Sequence, residues 1–327
     1  MIGLIIPVLN PGKLIADFID RLSAQSIKLD KIVIIDSSST DGSVNQFKKI
    51  GATIYTIKRH EFDHGATRQL GVTLMTGMDK IVFLTQDALL AKKKSIENLI
   101  SSFGDNLVGA AYGRQIPHEG AHPIEAHARY FNYPNRSIRK GLDDVPKLGI
   151  KTVFISNSFA AYRSDALQTV GGFSTLTIFG EDTYVAAKMI QKGWKIDYCA
   201  SAEVYHSHHY SYTQEFRRYF DIGVFHNNEK WILNLCGRAT GEGLRFVKSE
   251  FNFLWNRNKK LIPGALVRSL AKWLGYKLGT VNAILSSGLR VRFSNNPIYW
   301  KRISSSECES DDVLAKTDFP SIRKIHN

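Results

Sequence analysis

Cysteine, long apolar runs and acidic residues are all scarce in this sequence. Its three cysteines, Cys199, Cys236 and Cys308, form no CxxC pair, so we expect neither a structural zinc site nor a disulfide framework, and a reducing compartment is favoured. No apolar run approaches the roughly 18 residues that a membrane-spanning helix needs. The opening residues, MIGLIIPVLN, lack the basic region and cleavage site of a secretory signal. We therefore expect a cytoplasmic protein.

The shortage of acids leaves a net charge of +13 on 327 residues. Such an excess predicts an acidic partner, which could be nucleotide phosphates, an anionic membrane surface or nucleic acid. Most of the excess lies between Leu244 and Arg302, where twelve Lys or Arg and nine aromatic residues accompany a single acid, Glu250. The last quarter of the chain is therefore the part expected to meet an anionic surface.

A helix is predicted to begin near Pro263 in this basic stretch. Arg268, Lys272 and Asn282 lie on one of its faces. The other face is apolar, with Leu266, Leu270, Trp273, Leu274, Leu278, Val281 and Leu285. This pattern is typical of an interfacial helix on anionic lipid, although a helical hairpin packed on the core and a nucleic-acid surface fit the same composition. No nucleic-acid-binding module is recognisable, so we expect no nucleic-acid partner. Residues 303–327 lack periodicity and are predicted to form a flexible tail.

Short apolar runs alternate with amphipathic patterns in the first half of the chain. The predicted strands are 2–8, 31–36, 52–57 and 80–85, and the predicted helices between them are 14–25, 44–50 and 65–75. This alternation predicts an α/β fold in which helices flank a mixed, mostly parallel, Rossmann-like sheet. Ligands of such sheets bind at the carboxyl ends of the strands.

The second half is less regular. Residues 112–150 are interpreted as a long binding loop that contains a short helix at 124–131. After it we predict strands at 152–163, 194–199 and 202–206, and helices at 183–192 and 211–231. Ser211 and Gln214 form a candidate capping box for the last of these helices.

Polar residues follow three strands of the predicted sheet. Pro7 and Asn10 lie at the end of the first strand, Asp36 at the end of the second, and Thr85–Asp87 after the fourth. An acid at a strand end can hold a base or ribose, and turn amides can face a diphosphate. Each feature alone is ordinary turn chemistry. Together, at one sheet edge, they favour a nucleotide site.

Five landmarks in order resemble the inverting family-2 glycosyltransferases, which have a GT-A fold. They are IIPVLN, VIIDSSSTDGS, HGATRQLG, VFLTQDA and FGEDTYVAAKMIQKGWKIDY. The variants FDHGATRQLG and FLTQDA are most similar to the rhamnosyltransferases of bacterial surface-polysaccharide assembly. The resemblance runs from about residue 2 to residue 230. It implies a GT-A domain over 1–230. The basic and aromatic composition that follows predicts a membrane-associating helical segment over 231–302.

The resemblance also implies the donor-binding residues. Asp36 would bond the nucleobase, Pro7 and Asn10 would line the nucleotide pocket, and Arg68 would contact the diphosphate or the base. The alternative for Arg68 is a surface salt bridge on a helix.

A metal site is implied where the family carries its DxD motif. Here Thr85, Gln86 and Asp87 occupy that position, so Asp87 remains as the only carboxylate ligand, and Thr85 and Gln86 are assigned to donor binding. Mg²⁺ or Mn²⁺ can use one carboxylate together with phosphates and waters. In the histidine-rich run YHSHHY, the resemblance implies that His206 joins Asp87; the alternative is a pair of ordinary loop histidines.

Glu181 and Asp182 open a predicted helix, and the resemblance gives them the acceptor side. Asp182 would be the base that takes the acceptor's hydroxyl proton, and Glu181 would position the acceptor. The alternative is that both acids offset the helix dipole. Gln214-x-x-Arg217 is similar to the QxxRW motif of processive enzymes, but Arg218 replaces the tryptophan, which favours single addition with either arginine as a phosphate contact.

The activity implied is transfer of L-rhamnose from dTDP-L-rhamnose to a polyprenyl-diphosphate-linked saccharide, in O-antigen or other surface-polysaccharide biosynthesis. The enzyme would lie on the inner face of the bacterial plasma membrane. Two alternatives stay open. One is the same fold with another donor, such as UDP-GlcNAc or UDP-galactose. The other is a non-catalytic GT-A-like scaffold that binds membrane or nucleic acid.

Overall fold

The computed structural model describes residues 1–237 and 241–303, and within these ranges nine strands form one sheet. The strands are β1 (Ile2–Val8), β2 (Lys31–Asp36), β3 (Thr53–Thr56), β4 (Lys80–Leu84), β5 (Leu89–Leu90), β6 (Val108–Ile116), β7 (Ile138–Lys140), β8 (Phe159–Arg163) and β9 (Lys195–Tyr205). The helices are α1 (Ile15–Ser23), α2 (Ser43–Lys49), α3 (His64–Thr73), α4 (Ser95–Ser101), α5 (Pro123–Asn132), α6 (Val145–Leu148), α7 (Ser164–Thr169), α8 (Glu181–Gln191), α9 (Tyr212–Asn228), α10 (Lys230–Cys236), α11 (Glu242–Arg257), α12 (Ile262–Thr280) and α13 (Ser287–Phe293).

The strand order is β3-β2-β1-β4-β8-β6-β9-β5, and β7 pairs with the outer part of the sheet through β9. The first four strands are parallel, as the βαβ pattern predicts. β8 runs antiparallel between β4 and β6. Alternate residues of β1 contribute to two apolar clusters, with Ile5 in one and Leu4 and Ile6 in the other. Helices cover both clusters, which confirms the predicted α/β architecture.

Two predictions in the second half are wrong in detail. The strand predicted over 152–163 begins only at Phe159, and a 3-10 helix at Gly149–Val153 precedes it. The strands predicted at 194–199 and 202–206 are the single strand β9. The pairing of β9 with β6 shifts in register near Ser201. This irregularity corresponds to the gap between the two predicted strands.

The predicted loop over 112–150 is partly wrong, because it contains the end of β6 as well as β7 and α6. The short helix predicted inside it at 124–131 is confirmed as α5. The sequence of β6, VGAAYGRQI, has few of the β-branched residues that mark a strand. One of its two glycines has a clear packing role: a Cβ on Gly113 would lie 2.3 Å from Phe159 Cδ1. The small residues that make this strand difficult to recognise from the sequence therefore let it pack closely against β8.

Helix α12 packs closely on α9 through glycine. A Cβ on Gly275 would lie 2.2 Å from the carbonyl oxygen of Phe216, and one on Gly279 would lie 2.1 Å from that of Phe220. Such short distances mean that the two backbones touch without intervening side chains. The helix that carries the basic face is thereby fixed to the helix that follows the histidine-rich run.

The helix predicted from Pro263 is observed as α12, but it ends at Thr280, so Val281, Asn282 and Leu285 lie beyond it. The apolar face of α12 is largely exposed. Leu266, Leu270 and Trp273 are 50%, 55% and 56% exposed. Glycines make the contact with α9, so the large apolar side chains turn outward. Within 1–237 and 241–303 no helix is both long enough and apolar enough to cross a membrane.

Residues 294–302, close to the end of the described range, contact earlier parts of the chain. Buried Asp221 of α9 accepts hydrogen bonds from Ser294 Oγ (2.6 Å) and from the backbone nitrogen of Asn295 (2.9 Å). Arg302 Nη1 lies 3.4 Å from Asp63 Oδ2, and Asp63 caps α3. The predicted boundary near residue 230 stays a prediction. The predicted tail, from residue 304 onward, lies outside the described residues.

Candidate active site

Two adjoining cavities open at the carboxyl ends of β1 and β4. The larger has a volume of about 630 Å³ and the smaller of about 210 Å³. Pro7 and Gln86 line the smaller one, whereas Asp182 and His206 line the larger. Four residues line both cavities: His64, Arg68, Thr85 and Asp87. The structure thus brings together residues that are far apart in the sequence.

Asn10 and Asp36 lie at the same sheet edge but line neither cavity. Asn10 has a left-handed backbone (φ 45°), and its Oδ1 accepts a hydrogen bond from the Thr40 nitrogen (2.8 Å). Buried Asp36 accepts bonds from the Ser39 nitrogen at 3.2 Å. Both side chains therefore hold the loops that follow β1 and β2. Their contacts with a nucleotide stay a prediction.

Gln86 joins the ends of β1 and β4. Its Oε1 accepts a hydrogen bond from the Leu9 nitrogen (2.7 Å), and its Nε2 donates to the Leu9 carbonyl (2.9 Å). This amide-to-backbone pair continues the strand contact beyond the last residues of the two strands. It also fixes the backbone on which the neighbouring Asp87 stands.

Asp87 lies within a three-residue cluster with His206 and His208. Asp87 Oδ2 is 3.5 Å from Nε2 of each histidine, and the two Nε2 atoms are 2.9 Å apart. The three ligand atoms all lie within 4.8 Å of one another. The resemblance implied that His206 joins Asp87, whereas His208 belonged to the histidine-rich run without an assigned role. β9 ends at Tyr205, so both histidines stand on the following loop.

The donor set of this cluster fits a divalent cation. His206 Nδ1 lies 2.9 Å from Gln115 Oε1, which leaves its Nε2 lone pair to face Asp87. Burial opposes ionisation of Asp87, but its contacts with His206, Thr85 and His208 keep its pKa well below the usual range. A permanent carboxylate and two imidazole nitrogens converge, as a metal site requires. Adjacent His209 faces Glu125 instead, at 3.8 Å.

Arg68 of α3 is buried and forms an ion pair with Glu181 at the start of α8. The distance from Arg68 Nη1 to Glu181 Oε1 is 3.0 Å, and the same nitrogen donates to the His64 carbonyl at 3.0 Å. Buried Nε of Arg68 has no hydrogen-bond partner among the described residues. The surface salt bridge considered for Arg68 is therefore wrong, because both partners are buried. The unpaired donor suits a phosphate oxygen.

Asp182 lies beside this pair and faces the larger cavity. Its carboxylate accepts hydrogen bonds from the backbone nitrogens of Asn157 (3.2 Å) and Thr183 (2.7 Å). Burial, reinforced by the neighbouring charge of Glu181, raises the pKa of Asp182 to about 7. A group with a pKa near neutrality is suited to accept a proton and pass it on. Glu181 faces Arg68 and Asn157, so its acceptor-side role stays a prediction.

Arg218 of α9 also lines the larger cavity. Its guanidinium carbon lies 5.0 Å from the ring centre of Phe179 and 5.9 Å from that of Tyr210. The sequence pattern named Arg217 and Arg218 as alternatives, and of the two only Arg218 lines the larger cavity. Gln115 and Asn157, which contact His206 and Asp182, were not predicted, because neither belongs to a recognisable motif.

Comparison with known proteins agrees with this geometry. The profile described as Glycosyl transferase family 2 matches residues 4–171. The chain is 48% identical over 308 residues to the O-antigen chain rhamnosyltransferase RfbN of Salmonella typhimurium, over 93% of this chain and 98% of the relative. It is 45% identical over 304 residues to the O-antigen chain rhamnosyltransferase WbaN of Salmonella anatum, over 93% of this chain and 96% of the relative.

Solved structures show the same fold. Mannosyltransferase PcManGT from Pyrobaculum calidifontis, solved in complex with GDP-Man and Mn²⁺, superposes with a TM-score of 0.54 at 17% identity, over 97% of this chain and 81% of that one. S. aureus TarS 1-349 in complex with UDP gives a TM-score of 0.50 at 13% identity, over 86% of this chain and 90% of that one. The predicted GT-A fold and the glycosyltransferase class are confirmed. By its profile and by two relatives matched over almost their whole length, this chain belongs to glycosyl transferase family 2.

Proposed function

We propose that this chain transfers L-rhamnose from dTDP-L-rhamnose to a lipid-linked saccharide during O-antigen assembly. The names of the two Salmonella relatives support rhamnose as the sugar. The observation that carries the proposal is Asp182, a half-buried carboxyl group with a pKa of about 7 that faces the same cavity as Asp87, His206 and Arg68.

The chemistry is a direct displacement at the anomeric carbon. Asp182 takes the proton of the acceptor hydroxyl as its oxygen forms the new glycosidic bond, and the bond to the nucleoside diphosphate breaks on the opposite face, with inversion. The backbone bonds from Asn157 and Thr183 hold the Asp182 carboxylate in place. Arg68 would donate its unpaired Nε–H to the diphosphate.

A divalent metal would be held by Asp87 and His206, and by His208, which the sequence did not assign. Of Mg²⁺ and Mn²⁺, two imidazole ligands favour Mn²⁺, because Mg²⁺ prefers oxygen ligands. When bound, the metal supplies positive charge that stabilises the leaving diphosphate.

The smaller cavity is the proposed place of the nucleotide, with Pro7, Thr85 and Gln86 in its wall. Asn10 and Asp36 hold the adjoining loops, and a small rearrangement there would bring them to the nucleobase. Glu181 would hold Arg68 through their ion pair and would also help to position the acceptor. We place the enzyme at the inner face of the plasma membrane, because the exposed apolar side of α12 lies in the strongly basic part of the chain.

The test is nucleoside-diphosphate release from dTDP-L-rhamnose, UDP-GlcNAc and UDP-galactose, with Mn²⁺ or Mg²⁺ and a lipid-linked acceptor extract. Turnover with dTDP-L-rhamnose that Asp182→Asn abolishes would support donor and base together. Turnover with a UDP-sugar alone would keep the mechanism and contradict rhamnose. Nucleotide binding without turnover from any donor would favour the non-catalytic scaffold.

A further inference from the structure

Helix α12 separates the larger cavity from an exposed apolar surface. Arg268 and Lys272 of this helix, one turn apart, line the cavity that also contains Asp182. Leu266, Leu270 and Trp273 of the same helix are each at least half exposed. One helix therefore presents cations to the acceptor side of the site and apolar side chains to the outside.

The charge of Arg268 is not cancelled by an ion pair. Its Nη1 donates to the Tyr210 carbonyl, and its guanidinium carbon lies 4.8 Å from the ring centre of Tyr212. Among the described residues no carboxylate oxygen forms an ion pair with it.

α9, α11 and α5 each carry an acid that bears on the charge of Arg268, and within the described ranges none of the three forms an ion pair with it. On α9, Glu215 is paired with Lys272 at 3.4 Å. On α11, burial raises the pKa of Glu250 to about 7, so this acid carries only part of its charge at neutral pH. On the α5 side, Glu125 lies near His209. A positive charge thus remains on the cavity wall, on the helix whose outer face is apolar.

We propose that Arg268 binds a phosphate group of an amphiphilic acceptor whose apolar chain lies along the exposed face of α12. The inference rests on the proposed function, since it concerns the acceptor of the same site. The sugar end of this acceptor reaches Asp182 through the larger cavity, while its apolar chain stays in the bilayer beside Leu270 and Trp273. A guanidinium is well suited to this task, because it bonds phosphate oxygens bidentately.

The experiment measures binding of the full chain, with dTDP and Mn²⁺ present to fill the donor side, to three kinds of vesicle. These are phosphatidylcholine with farnesyl diphosphate, phosphatidylcholine with farnesol, and phosphatidylcholine with phosphatidylglycerol. The first tests a terminal phosphate on an apolar chain, the second the chain alone, and the third an ordinary anionic headgroup. The variants are Arg268→Gln, the charge-conserving Arg268→Lys, and Lys277→Gln, which removes an equal charge from an exposed position of α12 outside the cavity.

The wild type is expected to prefer farnesyl diphosphate over farnesol by about tenfold or more, a difference of about 1.4 kcal/mol. Arg268→Gln should remove most of this preference, Arg268→Lys should retain part of it, and Lys277→Gln should retain all of it while weakening attraction to phosphatidylglycerol. An unchanged preference in Arg268→Gln, or equal losses in Arg268→Gln and Lys277→Gln, would overturn the inference. Thermal stabilisation of the same samples by dTDP is measured separately. If dTDP does not stabilise the wild type, that result counts against the proposed function and not against the role of Arg268.

Discussion

The guanidinium of Arg68 lies 3.0 Å from Glu181, and this ion pair gives two adjacent acids different chemistry. Burial opposes ionisation of both. For Glu181 the charges of Arg68 and His64 outweigh burial and lower its pKa, so it stays ionised. Asp182 has no such partner within ion-pair distance among the described residues, and burial together with the Glu181 charge raises its pKa to about 7. The arrangement suits Glu181 to neutralise the charge of Arg68 and suits Asp182 to the proton transfer proposed above.

The first prediction concerns pH. Only ionised Asp182 can act as a base, so kcat/KM should rise as pH increases from 5 and level off above an apparent pKa near 7. Because the two acids interact, this value belongs to the pair. Asp182→Asn should lower kcat by about 10² to 10⁴-fold. A rate profile that is flat between pH 6 and pH 8 would contradict Asp182 as the base.

Substitutions of Asp182 and of Glu181 should change the free energy of unfolding in opposite directions. The pKa of Asp182 is raised from 3.8 to about 7 in the folded chain, so its favourable contribution is present below pH 4 and is lost as pH rises through 7. At pH 8, Asp182→Asn should therefore raise the free energy of unfolding by about 1 to 4 kcal/mol. Glu181→Gln leaves Arg68 buried without its partner, so the free energy of unfolding should fall by about 3 to 5 kcal/mol. Urea unfolding at pH 8 and pH 4 checks both signs.

Two neighbouring histidines provide a matched test of the metal site. His208→Ala removes one of the three converging ligand atoms, so Mn²⁺ affinity, measured by electron paramagnetic resonance of the free ion, should fall about 10 to 100-fold. His209→Ala, one residue further on, should leave Mn²⁺ affinity unchanged because His209 faces Glu125. Equal effects of the two substitutions would exclude the proposed ligand set.

The contact between α9 and α12 should not tolerate a methyl group. Gly279→Ala would place a Cβ 2.1 Å from the Phe220 carbonyl oxygen, so we expect about 1 to 3 kcal/mol of destabilisation as the helices separate. Gly288→Ala is the control, since a Cβ there meets nothing within 4 Å and α13 should gain about 0.5 to 1 kcal/mol. Thermal unfolding of both variants decides whether close helix packing is required.

Attachment to anionic vesicles should depend on the exposed face of α12. Leu270→Ser and Trp273→Ser each remove an exposed apolar side chain, and each should weaken binding to phosphatidylglycerol vesicles by about tenfold. Leu176→Ser is the control, because Leu176 is 82% exposed but lies outside the C-terminal helices. Added salt should weaken the remaining attraction. Identical vesicle binding by the three variants would argue that this face has another role.

Much of the first half could be predicted because each signal there is local. The apolar runs of β1, β2 and β4 and the polar residues after them are contiguous in the sequence, and parallel pairing brings them to one edge. His208 could be placed only in part, because its position depends on where β9 ends. Gln115 and Asn157 act through tertiary contacts alone, so no sequence pattern marks them.

The C-terminal helices show what a periodic sequence pattern leaves undetermined. Periodicity gave the apolar stripe of α12 but not the direction it faces, since a stripe on the core and a stripe on a membrane have the same spacing. The signal that decides the direction was the pair Gly275 and Gly279, four residues apart, which marks a surface where another backbone can approach closely.

The bonds from Asp221 to Ser294 and Asn295 have a consequence for synthesis of the chain. The strands and Asp182 are translated before Arg268, Ser294 and Arg302, the partner of the α3 cap. During translation the growing chain would therefore carry a complete sheet beside an unfinished cavity, with Asp221 still lacking its partners. The cavity wall that α12 forms can assemble only after its residues have left the ribosome, so a nascent chain that stops short of Arg268 has the sheet without this part of the larger cavity.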